Sequence, residues 1–157
     1  GVNHEGSFNK AIELIDLAKE GGADGVKFQT YKADKIASKN SPSYWDLGKE
    51  STTSQHELFK KYDNFNESDY RSLAKHCREI NIDFLSTPFD NDWVDYLNEI
   101  MPFFKISSSD ITNYPLLKKV ALTRKPILLS TGASNIDEIK YWWQNNRSNN
   151  YQGWRAL

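Results

Sequence analysis

The sequence contains very little cysteine, methionine and histidine. Among its 157 residues there is one cysteine, Cys77, together with one methionine and three histidines. A lone cysteine cannot form a disulfide within the chain, which is typical of a reducing compartment, so a cytoplasmic location is expected. The adjacent His4 and Glu5 resemble metal ligands, but one such pair is poor support for a metal site. The residues themselves therefore predict no metal site in this chain.

The chain also lacks an excess of charge and any long apolar run. Its 20 Lys and Arg residues and 21 Asp and Glu residues leave a formal net charge of −1, so nucleic acid is not an expected partner. No apolar run approaches the roughly 18 residues that a membrane-spanning helix needs, so a membrane is not an expected partner either. A glycine-rich phosphate loop and a plausible Ser/His/Asp order are missing too, which argues against two common kinds of catalytic site.

What the sequence does contain is a short apolar strand followed by a helix, repeated along the chain. The predicted strands are Val26–Thr30, Ile82–Thr87, Phe103–Ser107 and Pro126–Thr131. The predicted helices begin after Ser7, as an N-cap, and near residues 66, 91, 113 and 136. Strands that alternate with helices indicate parallel βα units and therefore an α/β fold. The polar segment 31–65 is too long for a usual connection in such a fold.

Polar side chains gather at or near the carboxyl end of every predicted strand. They are Lys27, Gln29 and Thr30; Ser86 and Thr87; Lys105, Ser107 and Ser108; and Ser130 and Thr131. In a (β/α) barrel these ends converge on one face, where the active site lies. A doubly wound sheet gathers such residues mainly at a switch point. Polar residues at the carboxyl ends of all four predicted strands therefore favour a TIM-type barrel. Counting a first strand that ends near Val2, we expect an incomplete barrel of about five of the eight units.

Lys27 and Lys105 are the most informative members of this set. A buried ammonium group without a partner is costly, so a lysine inside a strand normally has a partner or a task. Either lysine alone could pack its stem on the sheet and extend its charge into water. Two lysines at matching strand positions favour a shared anion site instead. The Ser and Thr residues say less, because they are common helix caps in βα turns.

Five motifs carry a more specific signal than composition or periodicity. In chain order they are "GVNHEGS", "GADGVKFQT", "STPFD", "KISSSDITNYPLL" and "KPILLSTGAS". Together they resemble the sialic acid synthase family, which includes the N-acetylneuraminate, pseudaminate and legionaminate synthases, over about residues 1–140. The resemblance implies a (β/α)₈ barrel followed by a small antifreeze-like domain. It also implies a metal-dependent transferase, using manganese or magnesium, that condenses phosphoenolpyruvate with an N-acetylated sugar such as N-acetylmannosamine and releases phosphate.

Likeness to the family motifs assigns seven residues to the site. Lys27 and Lys105 would hold the phosphate and carboxylate of phosphoenolpyruvate, and Lys105 would stabilise the departing phosphate as a fixed positive charge. Three hydroxyl side chains would add hydrogen bonds: Thr87, Ser108 and Ser130. Gln29 and Asp110 would face the sugar, and Lys105 and Asp110 are the expected catalytic residues. The family often carries glutamate where this chain has Asp110, in a "GSGE"-like turn that here reads "SSSD".

The resemblance also implies what lies outside these residues. The metal-binding histidines of the family lie on later barrel strands, and its antifreeze-like domain closes the site of the neighbouring subunit. A glutamate usually precedes the "GVNHEG" motif. We therefore expect residues 1–157 to be the amino-terminal portion of the barrel, without its carboxyl-terminal strands and the antifreeze-like domain. The chain alone should be inactive, and a homo-oligomer is expected.

Two other functions remain open from the residues. The first is another barrel enzyme of phosphoenolpyruvate or pyruvate, such as an aldolase with Lys105 as a Schiff-base amine. The second is a non-catalytic fragment that folds or self-associates and at most binds an anion.

Overall fold

The computed structural model describes residues 2–147 and 154–156. The helices in this part are α1 (Phe8–Glu20), α2 (Ala33–Ile36), α3 (Gln55–Tyr62), α4 (Glu67–Glu79), α5 (Asp92–Ile100), α6 (Tyr114–Leu122) and α7 (Ile136–Arg147). The strands are β1 (Gly25–Thr30), β2 (Asp83–Pro88), β3 (Phe104–Ile106), β4 (Ile127–Leu129) and β5 (Trp154–Ala156). A single 3₁₀ turn, Ser108–Asp110, follows β3.

The predicted helix boundaries agree with the structure to within about one residue, and side-chain caps mark the beginnings of α1 and α4. The Ser7 hydroxyl accepts a hydrogen bond from the Lys10 backbone N–H at 3.3 Å where α1 begins. Asn66 and Asp69 form a reciprocal capping box at the beginning of α4. Such a box satisfies two backbone donors that the first turn of a helix otherwise leaves without a partner.

All strand pairs in the described part are parallel. β1 pairs with β2, so that Lys27 lies opposite Leu85 and Gln29 opposite Thr87. β4 pairs with β3 on one side and β5 on the other. β2 and β3 are spatial neighbours that connect the two groups of strands. The expected α/β fold of parallel βα units is therefore confirmed.

One face of the strands is covered by helices and forms the core. Phe28 and Phe84 stack there with ring centroids 5.5 Å apart. Phe104, Ile106, Ile127 and Leu129 continue the same buried layer, against helix residues such as Ile15, Leu73 and Leu97. Because side chains alternate between the two faces of a strand, the residues between these face the opposite side. That second side is called the open face below; it carries Lys27, Leu85, Lys105 and Leu128.

Three predictions about the strands and connections need correction. Val2 is not in a strand. A three-residue strand, β5, pairs with β4 where the sequence shows no recognisable apolar run, since a strand this short is defined by its ladder rather than by its composition. Segment 31–65 contains α2 and α3, which its polar composition did not predict.

Within the residues that the structure describes, no helix is both long and apolar enough to cross a membrane.

Candidate functional site at the ends of the strands

The site is organised around Lys105, which projects from the middle of β3. Its neighbours Phe104 and Ile106 are fully buried against the helices, so Lys105 belongs to the open face. Its ammonium group donates hydrogen bonds of 2.6 Å to Ser130 Oγ and of 2.6 Å to the Ile106 carbonyl. Both acceptors are neutral. Two residues that are 25 positions apart in the sequence thus meet at the ends of adjacent strands.

Lys27 places a second positive charge near Lys105. Partial burial lowers the pKa of Lys105, and the charge of Lys27 lowers it further. Desolvation by the surrounding residues also lowers the pKa of Lys27, although its side chain is exposed to solvent. An anion bound beside two such ammonium groups would favour their charged forms and offset the repulsion between them. The electrostatics of the open face therefore suit a ligand with negative charge.

Ser108 lies in the 3₁₀ turn immediately after β3, close to the turn that follows β4. A Cβ atom added to Gly132 would lie 4.0 Å from Ser108 Oγ. The turns "SSSD" and "STG" therefore adjoin each other, and Ser130 precedes Gly132 by two residues. The hydroxyls of the two other serines in the first turn, Ser107 and Ser109, contact each other at 2.9 Å.

Asp110 ends the same 3₁₀ turn and is half-buried. Its Oδ1 accepts a hydrogen bond from Asn113 Nδ2 at 3.0 Å. Its Oδ2 is buried without a hydrogen-bond partner among the described residues. Burial raises the pKa of Asp110, and the hydrogen bond from Asn113 acts in the opposite direction. The carboxylate thus has one oxygen held by the protein and one that is enclosed without a donor.

Gln29 and Thr87 lie opposite each other in the β1–β2 ladder, on the same face as Lys27. The Thr87 side chain is buried, whereas that of Gln29 is half-buried. The hydroxyl of Tyr70 donates to the Gln29 carbonyl at 3.1 Å and fixes this part of the strand. Both residues therefore lie on the open face, but neither takes part in the hydrogen bonds that join Lys105 and Ser130.

Two of the polar residues at the strand ends lie in the core and not on the open face. Thr30 and Ser86 are completely buried, and their hydroxyl oxygens lie 2.6 Å apart. They share the side of their strands that carries Phe28 and Phe84, which faces the helices. Their role is to satisfy each other's hydrogen bonds within the core.

The residues of this part of the chain do not fit a metal ion. Across positions 2–147 and 154–156 there is no group of three or more His, Cys, Asp or Glu side chains that could hold one. His4 is buried, its Nδ1 accepts the Gly6 N–H at 3.1 Å, and its ring stacks on Phe65 with centroids 4.5 Å apart. Its role is therefore structural in the loop before α1. Gly6 is favoured there because its φ is +76°, a left-handed backbone conformation that residues with a side chain adopt only with strain.

Sequence reasoning overlooked Asn113. The sequence has an Asn directly before a helix with Pro115 in its first turn. This pattern is typical of an N-cap and indicates nothing further. Nothing in the sequence indicated that the amide of this cap would also contact the Asp110 side chain three residues earlier.

Parallel strands with polar side chains at their carboxyl ends define the class of this protein as a TIM-type barrel fold, of which the described residues form a part. Residues 14–152 match the model of the NeuB family, and the chain belongs to that family.

Similar proteins are found in several organisms. The N,N'-diacetyllegionaminic acid synthase of Campylobacter jejuni is 43% identical over 143 residues, which are 89% of this chain and 42% of that protein. The human N-acetylneuraminate-9-phosphate synthase is 32% identical over 145 residues, which are 92% of this chain and 40% of that protein. The crystal structure of the sialic acid synthetase from Leptospira borgpetersenii superimposes with a TM-score of 0.85 at 29% identity, covering 100% of this chain and 50% of that one. The chain thus spans two fifths to one half of the length of these relatives.

Proposed function

We propose that this chain is the phosphoenolpyruvate-binding part of a nonulosonic acid synthase, which condenses phosphoenolpyruvate with an N-acetylated sugar and releases phosphate. Its products would be acids of the sialic type. The observation that carries the proposal is the pair of lysines on the open face, Lys27 and Lys105, with the Ser130 hydroxyl 2.6 Å from the Lys105 ammonium. A phosphate and a carboxylate on three adjacent carbons need such a concentration of cations and donors.

The names of the relatives support the same reaction. Similar chains are synthases of legionaminic acid and of N-acetylneuraminate 9-phosphate. Because this chain spans only part of their length, we further propose that the remaining barrel strands and an antifreeze-like domain belong to the whole protein. A homo-oligomer would follow, because in the family that domain closes the site of the neighbouring subunit. A cytoplasmic location fits the single cysteine of the chain, Cys77, which is free.

The reaction joins two carbon atoms and breaks one carbon–oxygen bond. The terminal enol carbon of phosphoenolpyruvate attacks the aldehyde carbon of the open-chain sugar, whose oxygen takes up a proton. Water adds to the cationic carbon that bears the phosphate and loses a proton. The adduct then collapses to the ketone as the bond from that carbon to the phosphate oxygen breaks, and phosphate leaves. Atoms and charge balance without an oxidant or a reductant.

The described residues have separate tasks in this scheme. Lys105 remains a fixed positive charge, whose interaction with the phosphate strengthens as negative charge accumulates on the leaving group. Lys27 holds the second anionic group, while Ser108, Ser130 and Thr87 donate hydrogen bonds. Asp110 and Gln29 orient the sugar. The divalent metal that the family implies would be held by residues outside the described part, so no step is assigned to it here.

The test is a phosphate-release assay on the intact protein, with phosphoenolpyruvate and N-acetylmannosamine in the presence of manganese or magnesium. We expect stoichiometric phosphate and a nonulosonic acid product. The same assay on residues 1–157 should give no turnover, and sedimentation at several concentrations should show self-association, because open strand edges recruit other chains. Absence of product from the intact protein with a panel of N-acetylated sugars would contradict the proposed reaction.

The lowered pKa of Lys105 also favours a second candidate, an aldolase with a Schiff base at this lysine. A desolvated lysine beside another cation is a typical Schiff-base amine. Reduction with borohydride in the presence of pyruvate separates the two. Only the aldolase would become covalently labelled at Lys105, whereas the synthase would keep its unmodified mass.

A further inference from the structure

Asn113 connects the side chain of Asp110 with the beginning of α6. Its Nδ2 donates to Asp110 Oδ1 at 3.0 Å, and its backbone N–H donates to the Asp110 carbonyl at 2.9 Å. Its Oδ1 accepts a hydrogen bond from the Leu116 backbone N–H at 3.5 Å, as the N-cap of α6. One amide group therefore contacts both the carboxylate and the first turn of a helix, which limits how far the carboxylate can rotate.

The two oxygens of the Asp110 carboxylate have different surroundings. Oδ1 has the donor from Asn113, whereas Oδ2 is buried with no hydrogen-bond partner among the described residues. Buried acceptors in native proteins almost always have a donor, so such an atom needs an explanation. The turn that carries Asp110 adjoins the turn after β4, which contains Ser130. Oδ2 has almost no accessible surface, so a donor of a ligand on the open face reaches it only if this turn moves when the ligand binds.

We propose that Asn113 is a positioning residue, which holds the Asp110 carboxylate ionised and turned so that Oδ2 accepts a hydrogen bond from the sugar substrate. The inference rests on the proposed function for the identity of the ligand. The donor would be a hydroxyl or the acetamido N–H, since these are the donor groups of an N-acetylated sugar. Asn113 itself does not contact the reacting atoms.

The ionisation state gives this role a measurable consequence. Burial alone would favour the neutral carboxylic acid, which presents a hydroxyl donor in place of one acceptor oxygen. Burial raises the pKa of Asp110, and the hydrogen bond from the Asn113 amide opposes that rise by favouring the carboxylate. Without that amide, Asp110 should be protonated up to a higher pH and should accept the sugar's hydrogen bond less well.

Two substitutions separate this role from helix capping. Asn113→Ser keeps a good N-cap hydroxyl but lacks the amide that reaches Asp110. Asn113→Asp keeps the size and the capping oxygen but places a second carboxylate against Asp110. The matched control is Asn66→Ser at the N-cap of α4, where the side chain accepts hydrogen bonds from the backbone N–H groups of Ser68 and Asp69. It removes the same chemical group from a cap on a different helix.

The measurements are the titration of the Asp110 carboxyl by ¹³C NMR and the KM values of both substrates, in the intact protein. Asn113→Ser should raise the pKa of Asp110, and Asn113→Asp should raise it more. The KM for N-acetylmannosamine should increase by about tenfold, as expected for one lost hydrogen bond to a charged group, with a smaller effect on phosphoenolpyruvate. Asn66→Ser should change neither quantity.

An unchanged titration of Asp110 in both Asn113 variants would overturn the inference and leave Asn113 as a helix cap only. Equal changes in Asn66→Ser would do the same, because they would indicate a general loss of stability. If the wild-type protein forms no product, the proposed function fails, while the titration still decides whether Asn113 controls the ionisation of Asp110.

Discussion

The carboxyl ends of β1 and β2 and those of β3 and β4 use similar residues for opposite purposes. In the first region Thr30 and Ser86 contact each other at 2.6 Å and are completely buried. In the second region Ser130 and Lys105 also contact each other at 2.6 Å, but both are half-buried on the open face. The hydroxyls of Thr30 and Ser86 bond to each other and are out of reach of a ligand. The Lys105 ammonium bonds to neutral acceptors only and keeps a charge that can attract a ligand.

The difference arises from the parity of the strand positions. Thr30 is two residues from Phe28 and therefore shares its face, which packs on the helices. Lys105 lies between two buried neighbours and therefore faces the other way. Moving a hydroxyl side chain by one position along the strand would therefore transfer it from the core to the open face, where the candidate site lies.

Lys105→Met should have the largest effect of the changes that test this comparison. It removes the charge that the second region offers and leaves Ser130 without its donor. We expect kcat/KM for phosphoenolpyruvate to fall by about 100-fold, in line with the loss of a charge-assisted contact, while the KM for the sugar changes little. Steady-state kinetics with each substrate varied in turn provide the measurement.

Asp110→Asn is the reciprocal control, since it should affect mainly the sugar. Equal effects of both substitutions on both substrates would show that the division of the site between Lys105 and Asp110 is wrong.

Thr30→Val should have an intermediate effect, and on stability rather than on activity. The substitution keeps the shape of the side chain but leaves the buried Ser86 hydroxyl without its partner. A buried polar group without a partner costs about 1–3 kcal/mol, so the free energy of unfolding in urea should fall by about that amount with unchanged kinetics.

Ser130→Ala is the matching substitution in the second region, where it removes the hydroxyl that accepts a hydrogen bond from Lys105. Its effect on unfolding should stay within about 0.5 kcal/mol, as for an ordinary surface change, while the KM for phosphoenolpyruvate rises. A loss of activity in Thr30→Val, or a loss of stability in Ser130→Ala without a kinetic effect, would reverse the roles assigned to the two regions.

The smallest expected effect is an uptake of protons when phosphoenolpyruvate binds at alkaline pH. Burial and the charge of Lys27 lower the pKa of Lys105 in the free protein, so the ammonium loses its proton earlier than usual as the pH rises. A bound anion favours the charged form and raises the pKa again, so the complex holds more protons than the free protein. The uptake should increase as the pH approaches the lowered pKa from below.

Titration calorimetry in buffers with different ionisation enthalpies measures this uptake. Lys105→Met should reduce it to the share that Lys27, whose pKa is also lowered, contributes. Proton release on binding, or an undiminished uptake in the variant, would show that another group is responsible.

Local signals were sufficient for much of the fold. Ser7 and Asn66 identified two helix N-caps, and the alternation of strands and helices predicted parallel βα units. The same reasoning missed β5, which depends on its ladder with β4, and the helices within segment 31–65. β5 has too few residues for an apolar period of its own. α3 did carry a local signal that was overlooked, the sequence from Ser54 to Glu57, in which the Ser54 hydroxyl accepts a hydrogen bond from the Glu57 backbone N–H.

The sequence by itself determined the residue types near the strand ends, the order of the elements and the motifs of the NeuB family. Only the tertiary structure decided which of the polar residues are neighbours. Ser130 meets Lys105 because β3 and β4 pair in a particular register, and Asn113 meets Asp110 because a 3₁₀ turn brings the cap of α6 back towards it. The physical reason is that the contact between Lys105 and Ser130 depends on strand register, which arises from packing across the sheet. The contact between Asn113 and Asp110 depends on the geometry of one turn, which the residue types alone do not specify.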